Sequence, residues 1–107
     1  MKLAALLPSF GKSRPRRIAV REAWLDPDRY ADQRISLDGV VRAFELHTPA
    51  PYFTLDDGPQ RVGLSGEQGV LATLIGQRVR ATGKLTFKPG VGIFLVCDTV
   101  TARASHR

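Results

Sequence analysis

Gln33-Arg34-Ile35-Ser36-Leu37-Asp38-Gly39-Val40-Val41-Arg42-Ala43-Phe44 is the stretch whose reading decides the fold. Ile35, Leu37, Gly39, Val41 and Ala43 hold one phase of a period-two pattern; Ser36, Asp38, Val40, Arg42 and Phe44 hold the other. Successive side chains of a strand point to opposite faces, so the spacing predicts a strand over 34–44 with the first set inward. The pattern returns over 77–87, with Val79, Ala81, Gly83, Leu85 and Phe87 inward and Arg78, Arg80, Thr82, Lys84 and Thr86 outward. Gln33-Arg34-Ile35 is matched by Gln77-Arg78-Val79, Gly39 by Gly83 and Val41 by Leu85, all at an offset of 44. A mid-strand glycine weakens a strand on its own, and a sharp bend at a barrel corner is the usual reason to keep one.

Between and around these two strands the pattern stays β. Residues 51–55 and 60–64 read as strands, joined by a turn at Asp56-Asp57-Gly58-Pro59 where Gly58 is free to take positive φ. Ser65 is expected to cap a short helix over 67–75, with Gly76 at its C-terminal end. A loop over 88–92 leads to a last strand over 93–102. Upstream, 18–30 reads as a helix and turn that deliver Val20, Trp24 and Tyr30 to plug one end of the core. The order β-β-β-α-β-β, with the helix between strands three and four, is that of an all-β, five-stranded Greek-key barrel of the OB type.

Three strings carry a resemblance. Residues 33–41, Tyr52-Phe53-Thr54-Leu55-Asp56-Asp57-Gly58, and Gly76-Gln77-Arg78-Val79-Arg80-Ala81-Thr82-Gly83-Lys84-Leu85 resemble the first, second and fourth strands of OB-fold domains of the tRNA-anticodon-like, nucleic-acid-binding kind. The resemblance spans residues 32–102. It implies the barrel and leaves the partner open, because such barrels host DNA, RNA, oligosaccharides and proteins.

Charge divides the chain. Residues 1–21 carry Lys2, Lys12, Arg14, Arg16, Arg17 and Arg21 and no acid, a charge of +6. Arg103 and Arg107 add +2, and residues 22–102, with eight basic and ten acidic side chains, carry −2, which sums to the net +6. The expected organisation is a basic tail over 1–17, the OB domain over 18–102 and a short tail over 103–107. Pro8, Gly11, Ser13 and Pro15 punctuate the first tail, although Leu3, Leu6, Leu7 and Phe10 have the spacing of one or two helical turns. Cys97 is the one cysteine and lies in an apolar run, where it packs as a small hydrophobe and excludes an internal disulfide. No run approaches the roughly 20 apolar residues of a membrane span. The apolar stretch from Leu3 to Leu7 is also shorter than the roughly 7–15 residues of an export signal. Both observations point to the cytoplasm.

Catalysis finds no support. His47 sits in a proline-rich loop, His106 is penultimate, and neither has a ligand neighbour at metal-binding spacing. Asp56-Asp57 before Gly-Pro reads as a turn, and Gly90 and Gly92 lack the lysine and helix of a phosphate loop. No catalytic residue, metal or cofactor is expected. Single-stranded nucleic acid fits better: OB barrels bind it across strands two and three, between the loops that here are 46–50 and 88–92. Phe44 and Tyr52 are the candidate stacking aromatics, Tyr52 rather than Phe53 because Phe53 shares the phase of Leu55. Arg42, Arg61, Arg80, Lys84 and Lys88 are the candidate cations of the barrel, and Lys12, Arg14, Arg16 and Arg17 those of the tail. The second function class is a small adaptor that binds a protein through the groove or a strand edge.

Overall fold

The alternation at 34–44 folds as it reads. In the computed structural model, which describes residues 14–44 and 52–103, the elements are β1 (Arg16–Arg17), α1 (Val20–Leu25), α2 (Pro27–Tyr30), β2 (Arg34–Phe44), β3 (Tyr52–Asp57), β4 (Gln60–Ser65), α3 (Gln68–Thr73), β5 (Arg78–Lys88) and β6 (Gly92–Ala102). The expected helical turns over 3–10, Lys12, the loop over 46–50, His47 and His106 lie outside the described residues.

The described residues are mostly β, a six-stranded mixed sheet with three short helices. β2 pairs antiparallel with β3, and β3 with β4. β4 pairs parallel with β6, β6 antiparallel with β5, and β5 antiparallel with β2. The pairings therefore return to β2 and close a ring, with the inward phase of each strand filling it: Ile35, Leu37, Val41, Phe53, Leu55 and Leu85 are all buried. Arg16 and Arg17, expected in the tail, instead form β1, a two-residue parallel addition beside Ile35 and Ser36. Ser36 and Thr82, on the outward phase beside it, are buried and hydrogen-bonded to each other at 2.6 Å, so neither hydroxyl is left unsatisfied.

The repeat at offset 44 becomes a reciprocal pairing. Ile35 faces Gly83 and Gly39 faces Val79, so each glycine lies across from the partner strand's apolar residue. Both positions are points of close backbone approach. A β-carbon at Gly39 would stand 2.7 Å from the Asp56 carbonyl oxygen, and one at Gly83 would overlap the Val96 carbonyl. The β5–β6 register also shifts between Thr82 and Gly83. At both positions the close partner is backbone, so only a glycine fits.

The helices close the ends. Val20 and Ala23 of α1 and Tyr30 of α2 are buried, whereas Trp24, expected beside them in the core, is 50% exposed. α1 starts on the backbone of Ala19, whose N–H donates to Glu22 Oε1 at 2.9 Å, and α2 starts on Pro27, pre-set for a first helical turn. α3 is shorter than expected. Ser65 ends β4 instead of capping the helix, Glu67 takes that place with φ 50°, and Leu71 is its buried anchor. Gly76 does take a left-handed φ of 85°, and its N–H donates to the Val41 carbonyl at 2.8 Å, tying the helix exit to β2. Asp56 and Asp57 finish β3, so the turn is confined to Gly58 and Pro59. Among the described residues no helix is long and apolar enough to cross a membrane.

Candidate functional site

Outward side chains of β2, β3, β4 and β6 meet in one row. Arg42 stands opposite Thr54, Thr54 opposite Gly63, and Gly63 opposite Phe94. A glycine in the third place leaves a gap in the row that its neighbours lean over. A β-carbon at Gly63 would lie 2.5 Å from Cδ1 of Phe94 and 2.6 Å from the Tyr52 hydroxyl oxygen. The gap opens into a cavity of about 370 Å³ whose lining includes Trp24, Pro27, Phe87, Val91 and Phe94. That volume falls in the size range of small-molecule and cofactor sites.

Trp24 is held there by one strong contact. β6 pairs with β4 only from Gly63 onward, and Arg61 lies before that first pair. The Arg61 carbonyl accepts instead from the Trp24 indole N–H at 2.7 Å. The indole thus occupies the flank of β4 that β6 has not yet reached, with half its surface in solvent. An anchored, half-exposed aromatic beside a cavity can stack on a flat partner at little cost in side-chain entropy.

Arg61 forms the polar wall. It pairs across the strands with Asp56, the guanidinium Nη2 at 3.1 Å and Nε at 3.2 and 3.3 Å from the carboxylate oxygens. Asp56 also accepts from the Thr54 hydroxyl at 2.7 Å. The guanidinium carbon of Arg61 lies 4.5 Å from the centre of the Phe44 ring, a cation–π contact.

The structure brings some of the expected residues together and separates the rest. Tyr52 and Arg61 line the cavity, Tyr52 outward and Phe53 buried as the phase predicts. Arg42 and Phe44 share the same outer face, but Phe44 is covered by Arg61. Lys88 is exposed at the start of the β5–β6 turn, paired with Gly92 of the cavity wall. Arg80 and Lys84 lie on a different flank. Arg80 donates to Asp38 at 2.8 and 3.2 Å, and Lys84 is 3.8 Å from Asp32. The same flank holds Arg17, which shares a shallow cleft of about 320 Å³ with Arg78, Glu22, Asp38 and Asp57. Hydrogen bonds from Arg80 hold the Asp38 carboxyl below the usual carboxylate range; partial burial opposes them, and the charges of Arg80, Arg103 and Arg17 add to them. Arg14 is exposed, and Arg16 and Arg29 each place a guanidinium 5.5–5.6 Å from the centre of the Tyr30 ring.

Trp24, Gly63 and Phe94 are the site residues that the sequence reading passed over. Phe94 was legible, since Ile93, Leu95 and Cys97 share one phase and leave it outward. Gly63 was legible as a mid-strand glycine, a sign of close approach. Trp24 was not, because a six-residue helix has too few turns to tell its flank from its buried face. Burial pushes the Cys97 thiol up to about 12, with Asp98 and Glu67 adding to the effect, so it is unreactive near neutral pH. Among the described residues no three His, Cys, Asp or Glu side chains come together as a metal site would need.

No family model matches this chain, and no curated protein does. Among solved structures it is similar to a chain from Leishmania major Friedlin described as an aspartyl-tRNA synthetase, with a TM-score of 0.59 and 12% sequence identity. The superposition covers 92% of this chain and 25% of that one, so this chain spans about a quarter of its length and the likeness is one of fold.

Proposed function

We propose that the chain is a non-catalytic OB-type module that binds single-stranded nucleic acid across the outer face of β3 and β4. The ring order β2-β3-β4-β6-β5, the parallel β4–β6 pair and the helix between β4 and β5 support the OB reading. The observation that carries the function is the aromatic cavity over Gly63, walled by Trp24, Tyr52 and Phe94. It lies where OB barrels bind oligonucleotides, on the faces of the second and third strands beside the loop between the fourth and fifth. Stacking on such aromatics is sequence-tolerant, because every base has a π-face. The fold likeness to a protein named for tRNA supports the same reading. Arg14, Arg16 and Arg17 supply phosphate affinity beside the ring rather than inside the cavity.

Trp24 is the single tryptophan, so its emission reports on the cavity directly. Titrating the intact chain with a single-stranded oligonucleotide at low salt is expected to quench it saturably. Unchanged emission together with no anisotropy change on a labelled strand sinks the proposal. A second reading, docking of an apolar peptide, is favoured by exposed Val91 at the cavity lip and Leu25 beside Trp24. Peptide binding would be nearly indifferent to salt, whereas strand binding weakens as salt rises.

A further inference from the structure

Two arginines share the outer face beside the cavity, and their surroundings differ. Arg42 is exposed and forms no ion pair with a described residue. Arg61 is committed twice. Asp56 takes its Nε and Nη2 edge, and Phe44 covers one side of the guanidinium. The carboxylate lies beneath the cation: Asp56 is 15% exposed and Arg61 52%. Thr54, itself buried, holds Asp56 in place by donating to it. What Arg61 presents outward is therefore a planar group with its charge already matched and one side open.

A guanidinium in that state is suited to stacking and poorly suited to neutralising phosphate. It is planar and weakly hydrated, so stacking costs little desolvation. A phosphate approaching it meets the Asp56 carboxylate behind it and would have to displace a charge-assisted, side-on pair. Among the described residues Arg42 has no such counter-charge. We infer that Asp56 is a specificity-determining residue that dedicates Arg61 to stacking on a nucleobase and leaves Arg42 as the phosphate-neutralising cation of this face. The inference rests on the nucleic-acid reading above. It adds that the face selects exposed bases over a duplex, which hides its base faces and offers mainly backbone phosphate.

The test is fluorescence anisotropy with a labelled oligothymidylate and a labelled duplex of equal length, at several salt concentrations, on the full chain and four variants. Arg42→Gln is expected to lower the single-strand salt slope by about 0.7, the value of one phosphate contact. Arg61→Lys and the charge-neutral double variant Arg61→Gln/Asp56→Asn are expected to weaken single-strand binding by about 5- to 150-fold with the slope nearly unchanged, because each keeps the local charge balance and loses the plane. Asp56→Asn is nearly isosteric and is expected to steepen the slope by about 0.7 on single strands and about 0.9 on duplex, with duplex affinity rising at low salt. Thermal unfolding of each variant separates lost contacts from lost fold. A slope change for the Arg61→Gln/Asp56→Asn double variant equal to that of Arg42→Gln overturns the division of roles, as does rescue by Arg61→Lys or an unchanged slope for Asp56→Asn. Failure of the unsubstituted chain to bind either probe at low salt overturns the nucleic-acid reading and this inference with it.

Discussion

On the flank built by β3, β4 and the start of β6, the outward groups are Tyr52, Phe94 and a glycine, and the nearest arginine is matched by Asp56. On the flank built by β1, the first half of β2 and β5, they are Arg17, Arg78, Arg80 and Lys84, with Arg103 close enough to act on Asp38. The same alternation produces both flanks. What differs is the neighbour: β2 pairs with β5 over residues 34–40 and with β3 over residues 40–44, so its outward residues belong to one flank before Val40 and to the other after it. Aromatic groups and most of the arginines are thereby separated around the ring, and each flank can be attacked alone.

The largest effect is expected from Gly63→Val. Its side chain would collide with the Phe94 ring and the Tyr52 hydroxyl and fill the gap at the cavity. Strand binding measured by Trp24 quenching should fall at least tenfold, while the arginine flank keeps its weak, salt-sensitive affinity. Unchanged quenching would dissociate the cavity from binding. Tyr52→Ala comes next, with a loss of about 1–3 kcal/mol and an unchanged salt slope if a base stacks there. A flattened slope in that variant would show that the two flanks are coupled. Replacing Arg14, Arg16 and Arg17 together by Gln should reverse the pattern. The slope should fall by about 2, three contacts at about 0.7 each, with quenching of Trp24 at low salt retained. Loss of quenching would place those arginines at the cavity.

The smallest effect concerns acid stability. The folded carboxyl of Asp38 is depressed chiefly by its hydrogen bonds from Arg80. A depressed carboxylate contributes stability that is present above its unfolded value of about 3.9 and is lost as pH falls through its lower folded value. Arg80→Gln removes the main cause, so the acid limb of the Tm–pH curve should move to higher pH. Both side chains are partly exposed, so the loss at neutral pH should be small. Superimposable curves would show that the arginine flank holds no structural ion pair of consequence.

Strand identity and facing were legible because period two is a short-range signal. β2 has the bounds that its alternation predicts, and β5 is displaced by one residue. The outward placement of Tyr52 followed from the phase of Phe53 and Leu55. The flank was not legible. Arg42 and Arg80 are both outward on neighbouring strands, yet one lies beside the cavity and the other on Asp38, because inward and outward are local properties and position around a closed ring is not. The same limit hid the role of Asp56. Before Gly-Pro it reads as a turn residue, and only the register of β3 against β4 sets it across from Arg61.

The place of β6 between β4 and β5 has a consequence for synthesis on the ribosome. A nascent chain emerges in order, so the β2-β3-β4 meander is complete while both strands that β6 will join still lack that neighbour. The Gly63–Phe94 pair and its neighbours span some thirty positions of sequence, separations that delay folding until the late segment arrives. Until residues 92–102 clear the exit tunnel, Phe53, Leu55 and Leu85 have an incomplete enclosure, and β4 presents open hydrogen-bonding groups to any passing strand. Vectorial synthesis thus makes the last strand the commitment step, and a translational pause upstream of it should raise the aggregated fraction of newly made chains.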